Sequence, residues 1–215
     1  MMTAFKDEII TYIQENRVST TEIADCLDKA GLLPDANALN RGFFRVGEIF
    51  YTFAAGESNW NVHEDLQYLG KNEIVFIDNI STNGRAIIGD IVSKFILLYR
   101  QSPAIICNGK LRDAHKLYKE NYPVWCQGVS PIGCFNKKVD LTPYRKMIDD
   151  RKMYFSGSIA VCDDSGVVII DKTHFNESFL EKLVAIEKQE DIWYDCIDRL
   201  KWNTYDTVCL KKYQS

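Results

Sequence analysis

The fold is decided by residues 74–113, whose sequence is IVFIDNISTNGRAIIGDIVSKFILLYRQSPAIICNGKLRD. This stretch contains two compact apolar runs, at 74–77 and 104–107, and a third run follows at 124–126. Short apolar runs that alternate with longer helical segments are typical of β-α-β units. The stretch therefore predicts an α/β fold built around a parallel sheet.

The residues before this stretch predict two helices and a strand. Apolar residues recur at helical spacing from 5 to 13, and Ser19 with Glu22 has the pattern of a capping box at the start of a second helix. Aromatic and β-branched residues dominate from 43 to 54, which indicates a strand. We therefore expect a helical N-terminal arm that leads into the sheet.

The remaining elements follow from three further patterns. The segment 86–99 is apolar nearly all round, which predicts a helix buried on several sides, with part of it facing another subunit. The runs 158–161 and 167–170 flank an acidic turn with a glycine, which indicates a β-hairpin. The tail from 175 to 200 mixes apolar and charged residues as an amphipathic helix does.

The length of 215 residues suits one domain with a substantial core. We expect a single domain over 1–215, with a core at about 42–170, a helical arm at 1–34 and a helical tail at 175–215. The expected architecture is a layered α/β/α arrangement with helical appendages.

Composition excludes several classes of protein. The net charge is −4 and the isoelectric point is about 5.5, so no basic face for nucleic acid is expected. No stretch approaches the roughly 20 apolar residues that cross a bilayer, and no signal peptide is visible, so we expect a soluble cytoplasmic protein. The seven cysteines include no C-x-x-C pair, so neither a structural zinc site nor a redox motif is indicated.

The candidate site lies where two predicted elements end at one edge of the sheet. Gly89-Asp90 stands near the start of the apolar segment, and Asn108 to Asp113 follows the next apolar run. Ligands collect at the carboxyl ends of parallel strands, where helix N-termini present free N–H groups. We therefore expect Arg112 and Asp113 to share a pocket with the Gly89-Asp90 turn.

These residue types suit one kind of chemistry. A guanidinium stabilises an oxygen that becomes negative during reaction, and a carboxylate suits a hard cation such as Mg²⁺ or Mn²⁺. Together they indicate a metal-assisted cleavage of a small 2-oxo-acid that leaves a pyruvate enolate. The histidines are too far apart in sequence to predict a zinc site: His63, His115 and His174.

Several short motifs, in order, resemble the RraA-like family, whose members include 4-hydroxy-4-methyl-2-oxoglutarate aldolases. The resemblance spans about 42–170 and rests on Gly89-Asp90, Gly109-Lys110-Leu111-Arg112-Asp113 and Tyr122-Pro123-Val124. It implies the swivelling β/β/α fold of that family and a trimer or a hexamer of two trimers. It also implies that an acid from a neighbouring subunit's C-terminal region completes each site.

The resemblance also implies individual roles. Asp113 would bind the metal directly or through water, and Asp90 would hydrogen-bond a metal-bound water. Arg112 would contact the ketone oxygen of the substrate. The residues implied in binding the substrate are Gly89, Ile91, Val92, Arg112 and Lys137.

Other interpretations remain open at the level of sequence. Arg112 and Asp113 could form a surface ion pair or a helix cap, and Lys137 could be a solvated surface lysine. The family also includes regulators of ribonuclease activity that bind proteins and lack the acid of the Arg-Asp pair, so the chain could be a binding module. The altered loops at 79–83, 100–104 and 156–158 leave room for a lyase or epimerase of sugar-acid metabolism.

Overall fold

Eight strands and seven α-helices make up residues 2–214, the part of the chain that the computed structural model describes. The strands are β1 Asn37–Ala38, β2 Arg45–Ala54, β3 Ile74–Asn79, β4 Ala86–Ile88, β5 Ile105–Leu111, β6 Val124–Val129, β7 Ile159–Asp163 and β8 Gly166–Ile170. The α-helices are α1 Met2–Asn16, α2 Thr20–Cys26, α3 Trp60–Asp65, α4 Asp90–Lys94, α5 Ala114–Lys119, α6 Arg145–Phe155 and α7 Glu177–Tyr194. Short 3₁₀ or π-helical turns lie at Leu66–Tyr68, Phe95–Tyr99, Thr142–Tyr144, Lys172–His174, Asp195–Arg199, Tyr205–Cys209 and Lys212–Gln214.

The sheet is parallel at its centre and antiparallel at its ends. Its strand order is β1-β6-β5-β3-β2-β7-β8, and β4 pairs with β5 beside this path. Strands β6, β5, β3 and β2 run parallel, whereas β7, β8 and β1 pair antiparallel. The Leu33 N–H donates to the carbonyl of Val167 in β8 at 3.0 Å, and β1 follows a few residues later on β6. One short segment therefore links both ends of the sheet, which nearly closes into a barrel.

The inside of this barrel is filled by alternate side chains of the strands. Tyr51 and Phe76 stack with Phe155 of α6, which closes one end of the barrel, and Trp125 is fully buried nearby. Because side chains alternate along a strand, the intervening residues face outward. They pack beneath two groups of helices.

The helices cover two outer faces of the sheet. Apolar residues from α3 to α5 pack on the parallel strands, with Val62, Ile96 and Leu117 fully buried there. The N-terminal helices and α7 pack on β7 and β8, where Ile13 and Leu183 are fully buried. Helices on both outer faces of a central sheet confirm the predicted α/β class and its layering.

Most predicted elements are confirmed. Ser19 and Glu22 form the capping box of α2, in which each side chain accepts the other residue's backbone N–H. The predicted hairpin is β7 and β8, with Asp163 opposite Gly166 at the turn. The tail forms one continuous helix, α7, which ends in a π-helical turn. No helix among residues 2–214 has the length and apolar character needed to cross a membrane.

The prediction for 86–99 is wrong in two respects. Residues 86–88 form strand β4, because they pair with the end of β5, and the helix begins only at Asp90. The segment is also not buried on several sides, since Ile91 is 80% exposed and Tyr99 is 71% exposed. Its apolar character reflects a largely uncovered face, where the Tyr99 ring stacks on Phe95 but stays mostly open to solvent.

Candidate functional site

The candidate site is built where β4 and β5 end side by side. The Arg112 N–H donates to the carbonyl of Ile88 at 3.0 Å, which fixes the end of β5 against the end of β4. Gly89 then opens α4, and Asp113 opens α5. The predicted juxtaposition of the two turns is therefore present in the structure.

Asp113 has an unusual backbone conformation for a residue with a side chain. Its φ of 59° places it in the left-handed region, and its carboxylate does not cap its own helix. The Asp113 Oδ2 instead accepts the N–H of Asp90 at 3.3 Å. Such conformations cost free energy and are concentrated at functional sites. This conformation leaves the carboxylate facing the Gly89-Asp90 turn.

Gly89 lets the Arg112 and Asp113 side chains lie close to its own backbone because it has no side chain. A Cβ at Gly89 would lie 2.8 Å from the Arg112 Cγ and still closer to the Asp113 Oδ2. The backbone at Gly89 is extended, with φ of −143°, so the requirement concerns space and not backbone angles. Gly133 plays the same part on the other side, where a Cβ would lie 2.6 Å from the Arg112 Nη1.

The charges of the site are balanced in two pairs. The Arg112 Nε lies 3.8 Å from the Asp113 Oδ2, and the Lys116 Nζ lies 3.7 Å from the Asp90 Oδ2. The side chain of Arg112 is half exposed, whereas that of Asp90 is mostly covered. Arg112 therefore keeps guanidinium N–H groups available for a ligand.

A cavity of about 350 Å³ opens beside this pair. It is lined by Arg112, Asp113, Ala114, His115, Val129, Ser130 and Pro131. The wall thus combines guanidinium donors, carboxylate acceptors and apolar surface. Such a mixture binds small, charged organic molecules with a defined orientation.

The donor set fits a hard cation that retains most of its water. The carboxylates of Asp113 and Asp90 both belong to this site, linked by the backbone hydrogen bond at Asp90. Among residues 2–214 no three His, Cys, Asp or Glu side chains gather into a complete metal cage. Mg²⁺ is commonly held by one or two carboxylates with water and substrate oxygens, and Mn²⁺ also prefers oxygen ligands.

The structure does not bring every predicted residue to this cavity. Ile91 and Val92 stand in the first turn of α4, and their side chains line a neighbouring apolar cavity of about 310 Å³ together with His63. Burial lowers the pKa of His63. Lys137 lies elsewhere, with its Nζ 4.9 Å from the ring centre of Phe135. Gly89, Asp90, Arg112 and Asp113 are the predicted residues that meet.

Several residues of the site were missed at the level of sequence, and Lys116 and Gly133 are the two that contact its charged groups. Lys116 follows Asp113 by one helical turn, which puts it on the same side of its helix, but its contact with Asp90 joins two different helices. Gly133 lies in a loop after β6, and its contact with Arg112 depends on how that loop folds back over the site. No local pattern in the sequence indicates such a contact.

Comparisons with known proteins agree with this fold. A family model described as RraA-like, Aldolase/RraA, matches residues 20–169. Protein DlpA of Legionella pneumophila is 24% identical over 182 residues, which cover 80% of this chain. The match covers only 29% of DlpA, so this chain spans less than a third of that relative.

Solved structures show the same architecture. An uncharacterized protein from Pseudomonas syringae pv. tomato superimposes with a TM-score of 0.69 at 19% identity, covering 89% of this chain and 88% of that one. RraAS2 of Streptomyces coelicolor, an unusual member of the RNase ES inhibitor RraA protein family, gives 0.66 at 17% identity, covering 86% and 96%. At these identities the likeness establishes the fold alone. Since the family model covers more than half of its residues, the chain belongs to the RraA-like (Aldolase/RraA) family.

Proposed function

We propose that this chain is a divalent-metal-dependent lyase that cleaves a carbon–carbon bond in a pyruvate-containing 2-oxo-acid, as an aldolase or an oxaloacetate decarboxylase. The family includes both metal-dependent aldolases and non-catalytic ribonuclease inhibitors. The observation that carries the proposal is the adjacent placement of the Arg112 and Asp113 side chains at one cavity. The regulators lack the acid of this pair, and this chain retains it.

Arg112 acts on the oxygen that becomes negative. Its guanidinium keeps free N–H groups and lies in the space left by the missing side chains of Gly89 and Gly133, beside the Asp113 carboxylate. A preorganised donor of this kind stabilises a developing enolate oxygen more than the ketone from which it forms. The guanidinium therefore lowers the barrier to breaking the adjacent carbon–carbon bond.

Asp113 and Asp90 hold the cation. Asp113 would bind Mg²⁺ or Mn²⁺ directly or through water, and Asp90 would accept a hydrogen bond from water on that cation. A cation in this place supplies a Lewis acid that draws electrons toward the ketone. The Lys116 ammonium, 3.7 Å from the Asp90 Oδ2, keeps that carboxylate oriented.

The carboxylate of the substrate is bound by backbone groups. The N–H groups of Ile91 and Val92 lie in the first turn of α4, where backbone donors have no partner within the helix. Lys137 has a supporting role as a basic group, which requires its side chain to turn from Phe135 toward the cavity.

The active form is a trimer or a hexamer of two trimers. The site is open to solvent in one subunit, since the Arg112 side chain is 51% exposed. The uncovered apolar face around Ile91 lies on the helix that Gly89 opens, so a neighbour packed there would also enclose the site. An acid from that neighbour completes the set of ligands.

The test is a coupled assay of pyruvate release from oxaloacetate and from 4-hydroxy-4-methyl-2-oxoglutarate. We expect release with Mg²⁺ and none after EDTA. Asp113→Asn should abolish the activity while leaving the thermal unfolding midpoint nearly unchanged, because within residues 2–214 the Asp113 side chain makes one long hydrogen bond and one exposed ion pair. The matched control is Asp150→Asn, an exposed aspartate on α6. Equal activity of Asp113→Asn and the control would remove Asp113 from the mechanism.

A second candidate function is a non-catalytic regulator that binds a ribonuclease. Its support is that the same family also contains non-catalytic ribonuclease inhibitors. The same assay separates the two functions. A well-folded protein that releases no pyruvate from either substrate, with either metal, supports the regulator.

A further inference from the structure

A row of polar side chains crosses the inside of the barrel on three neighbouring parallel strands. Ile77, Cys107 and Cys126 pair with one another across β3, β5 and β6 and face the outer helices. The residue that follows each of them faces inward, because side chains alternate along a strand. These inward residues are Asp78, Asn108 and Gln127.

Asp78, the acid of this row, is fully buried, and both of its carboxylate oxygens accept hydrogen bonds. Arg151 of α6 holds the Asp78 carboxylate with its Nε and with its Nη2, the latter at 2.8 Å. The Tyr51 hydroxyl and the Asn108 amide each donate to the same carboxylate at 3.0 Å. The pair therefore has no net charge, and its acidic member has no remaining acceptor capacity for a ligand.

A cavity of about 390 Å³ lies over this row at the mouth of the barrel. It is lined by Gly31, Leu32, Leu33, Pro34, Asn108, Gln127, Arg151, Tyr154, Phe155 and Ile169. It shares no lining residue with the cavity at Arg112. The two cavities are therefore separate sites in the described part of the chain.

Three polar groups of this cavity remain available to a ligand. The Gln127 amide donates to Asn108 at 2.9 Å, which leaves the Gln127 Oε1 as an acceptor. The Arg151 Nε and Nη2 are used by Asp78, so Nη1 is the guanidinium nitrogen left for a ligand, and the side chain of Arg151 is one-third exposed. The Tyr154 hydroxyl, also without a partner in residues 2–214, can donate and accept.

We propose that this cavity binds a small, neutral, polyhydroxylated ligand of monosaccharide size. Sugar hydroxyls donate and accept hydrogen bonds, which matches the mixed set offered by Gln127, Arg151 and Tyr154. The ring of Tyr154 and the apolar side chains of Leu33 and Ile169 cover the carbon-bound face of such a ligand. An anion is disfavoured because Asp78 already neutralises the guanidinium and lies directly behind it.

The buried pair also argues for a binding role. Replacing a buried ion pair by apolar residues of similar volume is often neutral or stabilising, so the pair is a poor way to fill a barrel. Here the pair places the Arg151 guanidinium at the wall of an open cavity. Apolar residues in its place would leave that wall without hydrogen-bond donors. Asn108 and Gln127 continue that polar surface across two further strands.

The test is ligand-observed NMR with D-glucose, D-ribose and myo-inositol as probes, on the full chain. We expect saturable binding of at least one probe, weakened roughly three- to tenfold by Gln127→Leu and by Tyr154→Phe, since each removes one hydrogen-bonding group. Neither substitution touches the Asp78–Arg151 pair. Gln14→Leu, at an exposed glutamine on α1, is the matched control and should bind as the unmodified protein does.

Other outcomes overturn the proposal. They are the absence of binding by all three probes, binding that is unchanged in both cavity variants, and binding of pyruvate or phosphate that depends on Gln127 in place of the neutral probes. Arg112→Ala should retain probe binding, because Arg112 lines only the other cavity. Loss of probe binding in that variant would mean that the probes occupy the lyase site.

Discussion

Gly89 is the residue whose contribution can be isolated most cleanly. In Gly89→Ala the new Cβ meets the Arg112 side chain at 2.8 Å and the Asp113 carboxylate more closely, so both groups must move. The extended backbone accepts alanine without strain. We expect pyruvate release to fall by about a hundredfold, because small displacements of reacting groups can cost this much. Steady-state kinetics of pyruvate release measure the loss of activity. An unchanged thermal unfolding midpoint shows that the fold is kept.

A matched control exists at Gly70, where an added Cβ would also meet a carboxylate first, the Glu73 Oε2 at 2.6 Å. That carboxylate lies outside the candidate site and ends a flexible side chain. Gly70→Ala should keep full activity. Equal losses of activity in the two variants would mean that Gly89 matters only for folding.

At the level of residues, the sequence predicted which residues meet at the centre of the candidate site and missed those around it. Gly89, Asp90, Arg112 and Asp113 could be placed together because two turns at the ends of neighbouring parallel strands must meet. The left-handed conformation of Asp113 and the approach of Gly133 depend on the exact path of loops, which residue type and spacing do not determine.

Among the elements, α6 is joined to the barrel by the ion pair of Arg151 and Asp78. Removing the acid in Asp78→Ala leaves the guanidinium partly buried beside two donors that lose their acceptor, on Tyr51 and Asn108. We expect the free energy of unfolding to fall by about 3 kcal/mol, at the lower end for broken buried pairs because Arg151 is one-third exposed. Urea denaturation measures the change.

The control for this prediction is Asp150→Ala, which removes an exposed acid next to Arg151 in sequence. Exposed charges contribute little, so its unfolding free energy should change by less than about 0.5 kcal/mol. If Asp78→Ala lowers the free energy of unfolding by less than about 1 kcal/mol, the pair behaves as an exposed ion pair does. That result would contradict its burial.

The sequence predicted long and regular elements well and one short element wrongly. The capping box of α2 and the hairpin of β7 and β8 depend on residues close in sequence, so local chemistry was sufficient. Strand β4 has only three residues, and its pairing with β5 is a contact between distant segments. Apolar composition alone does not distinguish such a strand from the start of a helix.

On the scale of the whole molecule, the exposed apolar face of α4 and of the turn after it is the surface that a second subunit would cover. Ile91, Phe95, Leu98 and Tyr99 are all at least 40% exposed, although apolar side chains on a monomer are usually covered when they cluster. Covering this face with a second subunit would bury it and would bring new groups to the start of α4, beside Gly89 and Asp113.

We therefore expect analytical ultracentrifugation to show a trimer or a hexamer, and Ile91→Glu to shift the protein toward smaller species. The substitution places a charge on a side chain that is 80% exposed in one subunit, so the subunit itself should keep its stability. Met153→Glu on α6, where the side chain is 71% exposed, is the control and should leave the assembly unchanged. Pyruvate release should fall with the assembly, because the proposed site takes an acid from the neighbour. A monomeric protein that is fully active would refute both the assembly and the shared site, since one subunit would then hold every group that the reaction needs.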